Sequence, residues 1–98
     1  MPYAIRLHAK IEDDFSAIPN SVQIRILDAI RALADTPRPA EVKKLTNIKA
    51  GIKNAYRIRI GNYRIGYQIF DSELVISVVA AAERGSIYSM LKRRLNRQ

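Results

Sequence analysis

Two runs of alternating residues, YRIRI (56–60) and YRIGYQIF (63–70), meet at Gly61-Asn62. A period of two sends successive side chains to opposite faces of a strand, and a Gly-Asn joint tolerates the positive φ that a two-residue hairpin needs. The pair therefore predicts an antiparallel hairpin. Its turn dictates the register: Ile60 opposite Tyr63, Arg59 opposite Arg64, Ile58 opposite Ile65, Arg57 opposite Gly66 and Tyr56 opposite Tyr67. A slip of one residue would drive the arginines into the core, so any fold built on this hairpin has little freedom.

The next run, ELVISVVAA (73–81), predicts a third strand joined through Asp71-Ser72, a weaker two-residue turn. In that register Phe70 pairs with Glu73, Tyr67 with Ile76, Gly66 with Ser77 and Arg64 with Val79. One face is then wholly apolar: Tyr56, Ile58, Ile60, Tyr63, Ile65, Tyr67, Ile69, Leu74, Ile76, Val78 and Ala80. That face takes the helices. The opposite face gathers Arg57, Arg59 and Arg64, with Gly66 and Ser77 leaving open space beside Arg57.

Elsewhere the periodicities are shorter. Tyr3, Ile5 and Leu7 alternate with Ala4, Arg6 and His8, which predicts a half-buried strand. Ile11, Phe15 and Ile18 fall at helical spacing up to Pro19. Val22, Ile26, Ile30 and Leu33 form the stripe of a second helix, capped by Asn20 with Gln23 as its capping-box partner and ended by Pro37 and Pro39. Residues 40–55 read as a loop anchored by Leu45 and Ile48, and a last helix over 87–98 places Ile87, Met90, Leu91 and Leu95 on one face. The order β-α-α-β-β-β-α predicts an α+β fold, a small mostly antiparallel sheet with helices packed on one face, as a single domain over residues 1–98.

Charge narrows the function. Seventeen Lys and Arg against nine Asp and Glu give +8, and the excess lies wholly in residues 41–98, since residues 1–40 carry five of each sign. A polyanionic partner follows from that balance. With no Cys and His8 as the single histidine, a disulfide framework, a thiol nucleophile and the usual zinc ligand sets are excluded. No cofactor or metal is expected. No apolar run approaches the roughly 18 residues of a membrane span, and the first ten residues lack a signal-peptide core, so a soluble, cytoplasmic protein with no membrane partner is expected.

Within the basic half, Arg59 opposite Arg64 is the costly arrangement, because directly opposed Cβ atoms lie about 4.5 to 5.5 Å apart and like charges there repel. No acidic residue on these strands offsets them. Guanidinium groups gathered against that cost suit a phosphate; the competing reading is three arginines extended into water over a solvated sheet. Arg84 follows the third strand and turns back toward the same face, and Tyr88, one helical turn later, either offers its ring for base stacking or packs on the sheet.

The stretch KKLTNIKAGIKNAYRIRIGNYRIGYQIFDSELVISVVAAAERGSIY (43–88) resembles the signature of the RelE/ParE toxin superfamily, the toxin halves of toxin–antitoxin pairs, with RelE the nearer branch. The resemblance extends over nearly the whole chain: an N-terminal strand, a two-helix hairpin ending in a Pro-containing turn, a basic K-x-L loop, the YRIRIGNYRIGY hairpin and R-x-x-x-Y after the last strand. It implies a ribosome-dependent mRNA endoribonuclease that cuts without metal, the 2′-hydroxyl attacking the adjacent phosphate to leave a 2′,3′-cyclic phosphate and a 5′-hydroxyl. By the same resemblance Arg57, Arg59, Arg64, Arg84 and Tyr88 are the catalytic set, the arginines neutralising the phosphorane and Tyr88 stacking on or orienting the base. Lys43, Lys44, Lys49 and Lys53 would dock ribosomal RNA, as would Lys92, Arg93 and Arg94 unless these three are a solvated helix end. The implied partners are the ribosome, mRNA and a cognate antitoxin whose helical, partly acidic segment covers apolar grooves and the basic face.

Two departures from the RelE pattern bear on mechanism. RelE enzymes carry lysines on the first hairpin strand, whereas Arg57 and Arg59 effectively never deprotonate, which leaves Tyr88 or a displaced Lys53 to handle protons. Ala82 leaves the approach to Arg84 less basic than in some members. Two other functions share the signature: a ParE-like poison of DNA gyrase with no catalysis of its own, and a plain nucleic-acid-binding or degenerate toxin.

Overall fold

The computed structural model describes residues 2–95. Its elements are β1 (Ala4–Leu7), α1 (Ile11–Ser16), α2 (Asn20–Leu33), β2 (Lys43–Leu45), β3 (Ala55–Ile60), β4 (Tyr63–Phe70), β5 (Val75–Glu83) and α3 (Ile87–Leu95). Five strands form one sheet in the order β1-β5-β4-β3-β2, with β1 parallel to β5 and the other pairs antiparallel. This is the expected α+β class. The short β2 arises within the stretch expected as loop, and the final three residues of the expected last helix lie outside the described residues.

The β3–β4 hairpin has the register its turn dictates, Arg59 opposite Arg64 and Arg57 opposite Gly66. Gly61 takes φ 60° and Asn62 a negative φ, the pattern of a type II′ turn. The β4–β5 register differs from expectation. Four residues rather than two make the turn, Leu74 sits in it at φ 55° and 39% exposed instead of on the apolar face, and Val75 pairs with Phe70. A bulge follows: Val78 lies opposite Tyr67 but Ala80 lies opposite Gly66, so Val79 is the extra residue. One inserted residue exchanges the faces of everything after it. The longer turn already sets Ser77 opposite Gln68 rather than Gly66; after the bulge Arg64 faces Ala82 rather than Val79, Ala81 replaces Ala80 on the apolar face, and Ala80 joins the arginine side.

Both faces of the sheet are covered. Ile11 of α1 and Ile26, Ile30 and Leu33 of α2 bury against Tyr56, Ile58, Ile65, Tyr67, Ile69, Ile76, Val78 and Ala81. A fully buried Ile contributes about 1.5–3 kcal/mol, so this layer is the main hydrophobic stabilisation. The third helix departs from the expected one-sided packing: Ile87, Leu91 and Leu95 close a second core with Leu45, Ile48, Ala55, Val79 and Ala80 on the arginine side. The space expected beside Arg57 at Gly66 is filled by Leu91, whose δ-carbons would lie 2.6 and 2.8 Å from any Cβ at that position.

The second helix starts differently from its expected capping box. Pro19 holds the cap position without a side-chain bond, and its carbonyl accepts the N–H groups of Val22 and Gln23. The Gln23 side chain instead donates to the Phe15 and Ile18 carbonyls at 2.7 and 2.8 Å, which ties the end of α1 to α2.

Beyond the end of β1, the outer edge of β5 is satisfied by side chains. Asp14 accepts the Ala81 N–H at 3.0 Å, and Arg94 meets the same carboxylate through Nη1 and Nη2 at 2.7 and 2.8 Å while donating to the Val79 carbonyl. The pair links α1 on one face to α3 on the other. His8 lies beside this clasp and accepts the Lys10 N–H at Nδ1, which requires an unprotonated nitrogen there. Burial first, then the positive charges of Arg94 and Lys10, hold its pKa below the ordinary 6.5 against the pull of Asp14. A folded state that binds this proton less readily than the unfolded chain keeps the contribution above the unfolded value and loses it as pH falls through the depressed one. Lowering the pH from about 7 to 5, across the ordinary histidine range, should lower the urea midpoint. In His8→Asn this part of the slope should flatten; an unchanged slope in the variant would assign it to the carboxylates instead.

Candidate functional site

Two rows of the sheet build the candidate site. Lys43, Arg57, Gly66 and Ala80 lie side by side across β2, β3, β4 and β5; Arg59, Arg64 and Ala82 form the adjacent row. Arg64 stands at the centre of the second row and is only 9% exposed, while Arg59 and Arg84 are exposed and Arg57 half-buried. Its Nη1 donates to the carbonyls of Gly61 and Tyr63 at 3.3 and 3.2 Å, folding the guanidinium over its own hairpin turn. Burial, then the charges of Arg59, Arg57 and Arg84, push its pKa down, with Tyr88 acting the opposite way. The other four residues expected to form the set thus lie within electrostatic reach of Arg64. The group stays protonated, because an arginine in a protein does not lose its proton.

The chain's path explains how Arg84 and Tyr88 arrive there. The Arg84 N–H donates to the Asn62 carbonyl at 3.0 Å, pinning the end of β5 to the hairpin turn. Gly85 at φ 99° then reverses the chain into α3. Ile87, Leu91 and Leu95 face the sheet, and Tyr88 in the first turn is 41% exposed, so part of its side chain is open to solvent. Ala82 stands opposite Arg64 in the register and packs against the second core.

The other basic residues divide. Lys43 stands opposite Arg57 and extends the arginine face by one strand, a neighbour that the missed β2 concealed. Lys44 pairs with Tyr56 on the opposite face and, with Lys49 and Lys53, lines an open cavity of about 580 Å³ formed by residues 44–53. Lys53 lies away from the arginine cluster: its neighbour Asn54 receives the Ile69 N–H, five residues along β4 from Arg64 and so about 17 Å away. Lys92 and Arg93 are exposed on α3, but Arg94 turns inward to Asp14 and is a structural residue, not a surface contact. No spacing rule signals that inward turn, since Asp14 is eighty residues away in sequence.

Among the described residues, no three His, Asp or Glu side chains are grouped to hold a metal ion, and no helix is long and apolar enough to cross a membrane. The family model described as the ParE toxin of the type II toxin–antitoxin system parDE matches residues 5–88. A chain described as a RelE-like toxin protein of Escherichia coli is 24% identical over 97% of this chain and 99% of its own length. The fold is that of a chain in the archaeal RelE-RelB complex from Pyrococcus horikoshii, with TM-score 0.73 and 28% identity over 87% of this chain and 98% of that one. A free mutant form of the E. coli toxin RelE shares the fold at TM-score 0.76 and 18% identity, covering 99% of this chain and 98% of its own. With the match running from the first strand into the first turn of α3, and the likeness among solved structures falling on the RelE side, this chain belongs to the RelE/ParE superfamily of type II toxin–antitoxin toxins.

Proposed function

We propose that this toxin cuts mRNA on the ribosome. The observation that carries the reading is Arg64, nearly buried and set among Arg57, Arg59 and Arg84 without a carboxylate among its hydrogen-bond partners. Three arginines gathered around a nearly buried fourth suit the doubly charged equatorial oxygens of a phosphorane better than a duplex followed along its length. In the proposed step the 2′-oxygen bonds to phosphorus and the P–O5′ bond breaks. The 2′-hydroxyl proton leaves and a proton is delivered to the 5′-oxygen, giving a 2′,3′-cyclic phosphate and a 5′-hydroxyl. Arg57, Arg59, Arg64 and Arg84 hold the developing charge; exposed Tyr88 stacks on or orients the base beside the cut. Lys43 continues the strand's path, and Lys44, Lys49, Lys53, Lys92 and Arg93 supply contacts to ribosomal RNA.

The partner is a cognate antitoxin, as the Pyrococcus relative is seen in a RelE-RelB complex. A groove of about 200 Å³ lined by Ala29, Ala32, Leu33, Ile58 and Ile60 offers an apolar seat for it beside Arg59. One observation favours a second reading, a poison of DNA gyrase: the matching family model is that of ParE. Inducing the chain without antitoxin and mapping mRNA 5′ ends during translation separates the two. Codon-phased cuts bearing 5′-hydroxyls are expected, and they should vanish in Arg64→Ala. Arrested growth with intact mRNA and trapped gyrase would replace the ribonuclease reading with the second one.

A further inference from the structure

Gly66 is the one position in its row without a side chain, between Arg57 and Ala80. A Cβ there would meet Leu91 Cδ2 at 2.6 Å, Cδ1 at 2.8 Å and Cγ at 3.0 Å. Carbon atoms in contact settle at about 3.5–4.0 Å, so adding that one methyl requires α3 to withdraw by about 1 Å. Leu91 has little room to swing aside instead. It is 1% exposed and enclosed by the core that Val79, Ala80, Ile87 and Leu95 form with it.

The depth of this seat is transmitted to the site. Tyr88 precedes Leu91 by three residues, on the adjoining side of α3 and about 4.5 Å along its axis. Arg64 lies two residues from Gly66 on the same face of β4, about 7 Å away. Arg84, in contrast, is held to the hairpin turn through Asn62 before the chain reaches Gly85. A shift of α3 therefore moves Tyr88 against four arginines that stay in place.

We propose that Gly66 and Leu91 are positioning residues: the bare backbone at Gly66 admits Leu91, and the depth of that docking places Tyr88 against the substrate base above the arginine cluster. This rests on the ribonuclease reading and adds the pair that sets its geometry. A misplacement of about 1 Å costs a reaction of this kind about 100-fold, so Gly66→Ala should lower kcat by about that factor. Gly66→Ala/Leu91→Ala, which removes the obstructing side chain, should recover most of the loss.

The position of Tyr88 is read independently from its ring resonances in chain labelled with ¹³C-tyrosine, assigned through Tyr88→Phe. These should shift in Gly66→Ala and return in the double variant. Leu91→Val, which thins the knob without touching the sheet, should also shift them and guards against a Gly66→Ala chain that does not fold. Unmoved resonances in both single variants, or a double variant no more active than Gly66→Ala, would overturn the inference. If the unaltered chain cuts no translated mRNA, the ribonuclease reading fails by itself, and the resonances still decide whether the seat sets Tyr88.

Discussion

Arg64→Ala is expected to reduce cleavage of translated mRNA by about 10²–10³-fold in kcat, the cost of removing one preorganised donor from a developing oxyanion. The same change should not destabilise the fold through electrostatics. Arg64 is nearly buried among three other arginines, its hydrogen bonds are long contacts to turn carbonyls, and both burial and its neighbours disfavour its charge. Removing the charge relieves repulsion, whereas removing the aliphatic stem leaves a void. Arg64→Met separates these effects: it should be as inactive as Arg64→Ala, with a melting temperature at or above that of the unaltered chain. An Arg64→Met chain that cuts at the original rate would remove Arg64 from the proposed chemistry. Opposite movement of activity and stability is the mark of a site held together against its own charge.

The largest effect on stability is expected from Asp14→Ala. The Asp14 side chain is 5% exposed and that of Arg94 11%, and they share two hydrogen bonds. Removing one partner leaves a buried guanidinium unpaired and the Ala81 N–H without its acceptor. Breaking such a pair costs about 3–5 kcal/mol, a large part of the roughly 5–15 kcal/mol that holds a domain of this kind together. Urea unfolding should show the midpoint falling steeply, with the clasp between α1 and α3 opened. Asp14→Ala/Arg94→Met should recover much of the loss, because it removes the orphaned charge along with the pair. If the single and double variants unfold at the same denaturant concentration, the buried charge is not what the pair resolves.

Legibility followed the range of the interactions involved. The β3–β4 hairpin was readable because a two-residue Gly-Asn turn and a strict alternation leave one register, and the structure has that register at every pair from Tyr56 to Tyr63. The stripe of α2 was readable for the same reason, though its capping box was not, since Gln23 finds better acceptors at the end of α1. The β4–β5 register failed because Asp71-Ser72 does not impose a turn length; Leu74 accepts a left-handed conformation, and the bulge at Val79 then exchanges the faces. Ala80 thereby passed from the expected apolar face to the core beneath α3. The clustering of Arg57, Arg59 and Arg64 survived this error, because it depends on the hairpin alone.

Alternation, one turn and the spacing of R-x-x-x-Y were enough to place three arginines on one sheet face, to bring Arg84 and Tyr88 to its rim and to point to the toxin superfamily. These are properties of residues a few positions apart, where backbone geometry leaves few alternatives. Tertiary structure alone decided that α3 covers the arginine side, that Gly66 is a seat for Leu91 rather than an opening, that Arg94 pairs with Asp14, and that Lys53 lies away from Arg64. Each depends on a contact between distant segments, chosen by which apolar surfaces bury each other and which buried charges find partners. No local period encodes that choice.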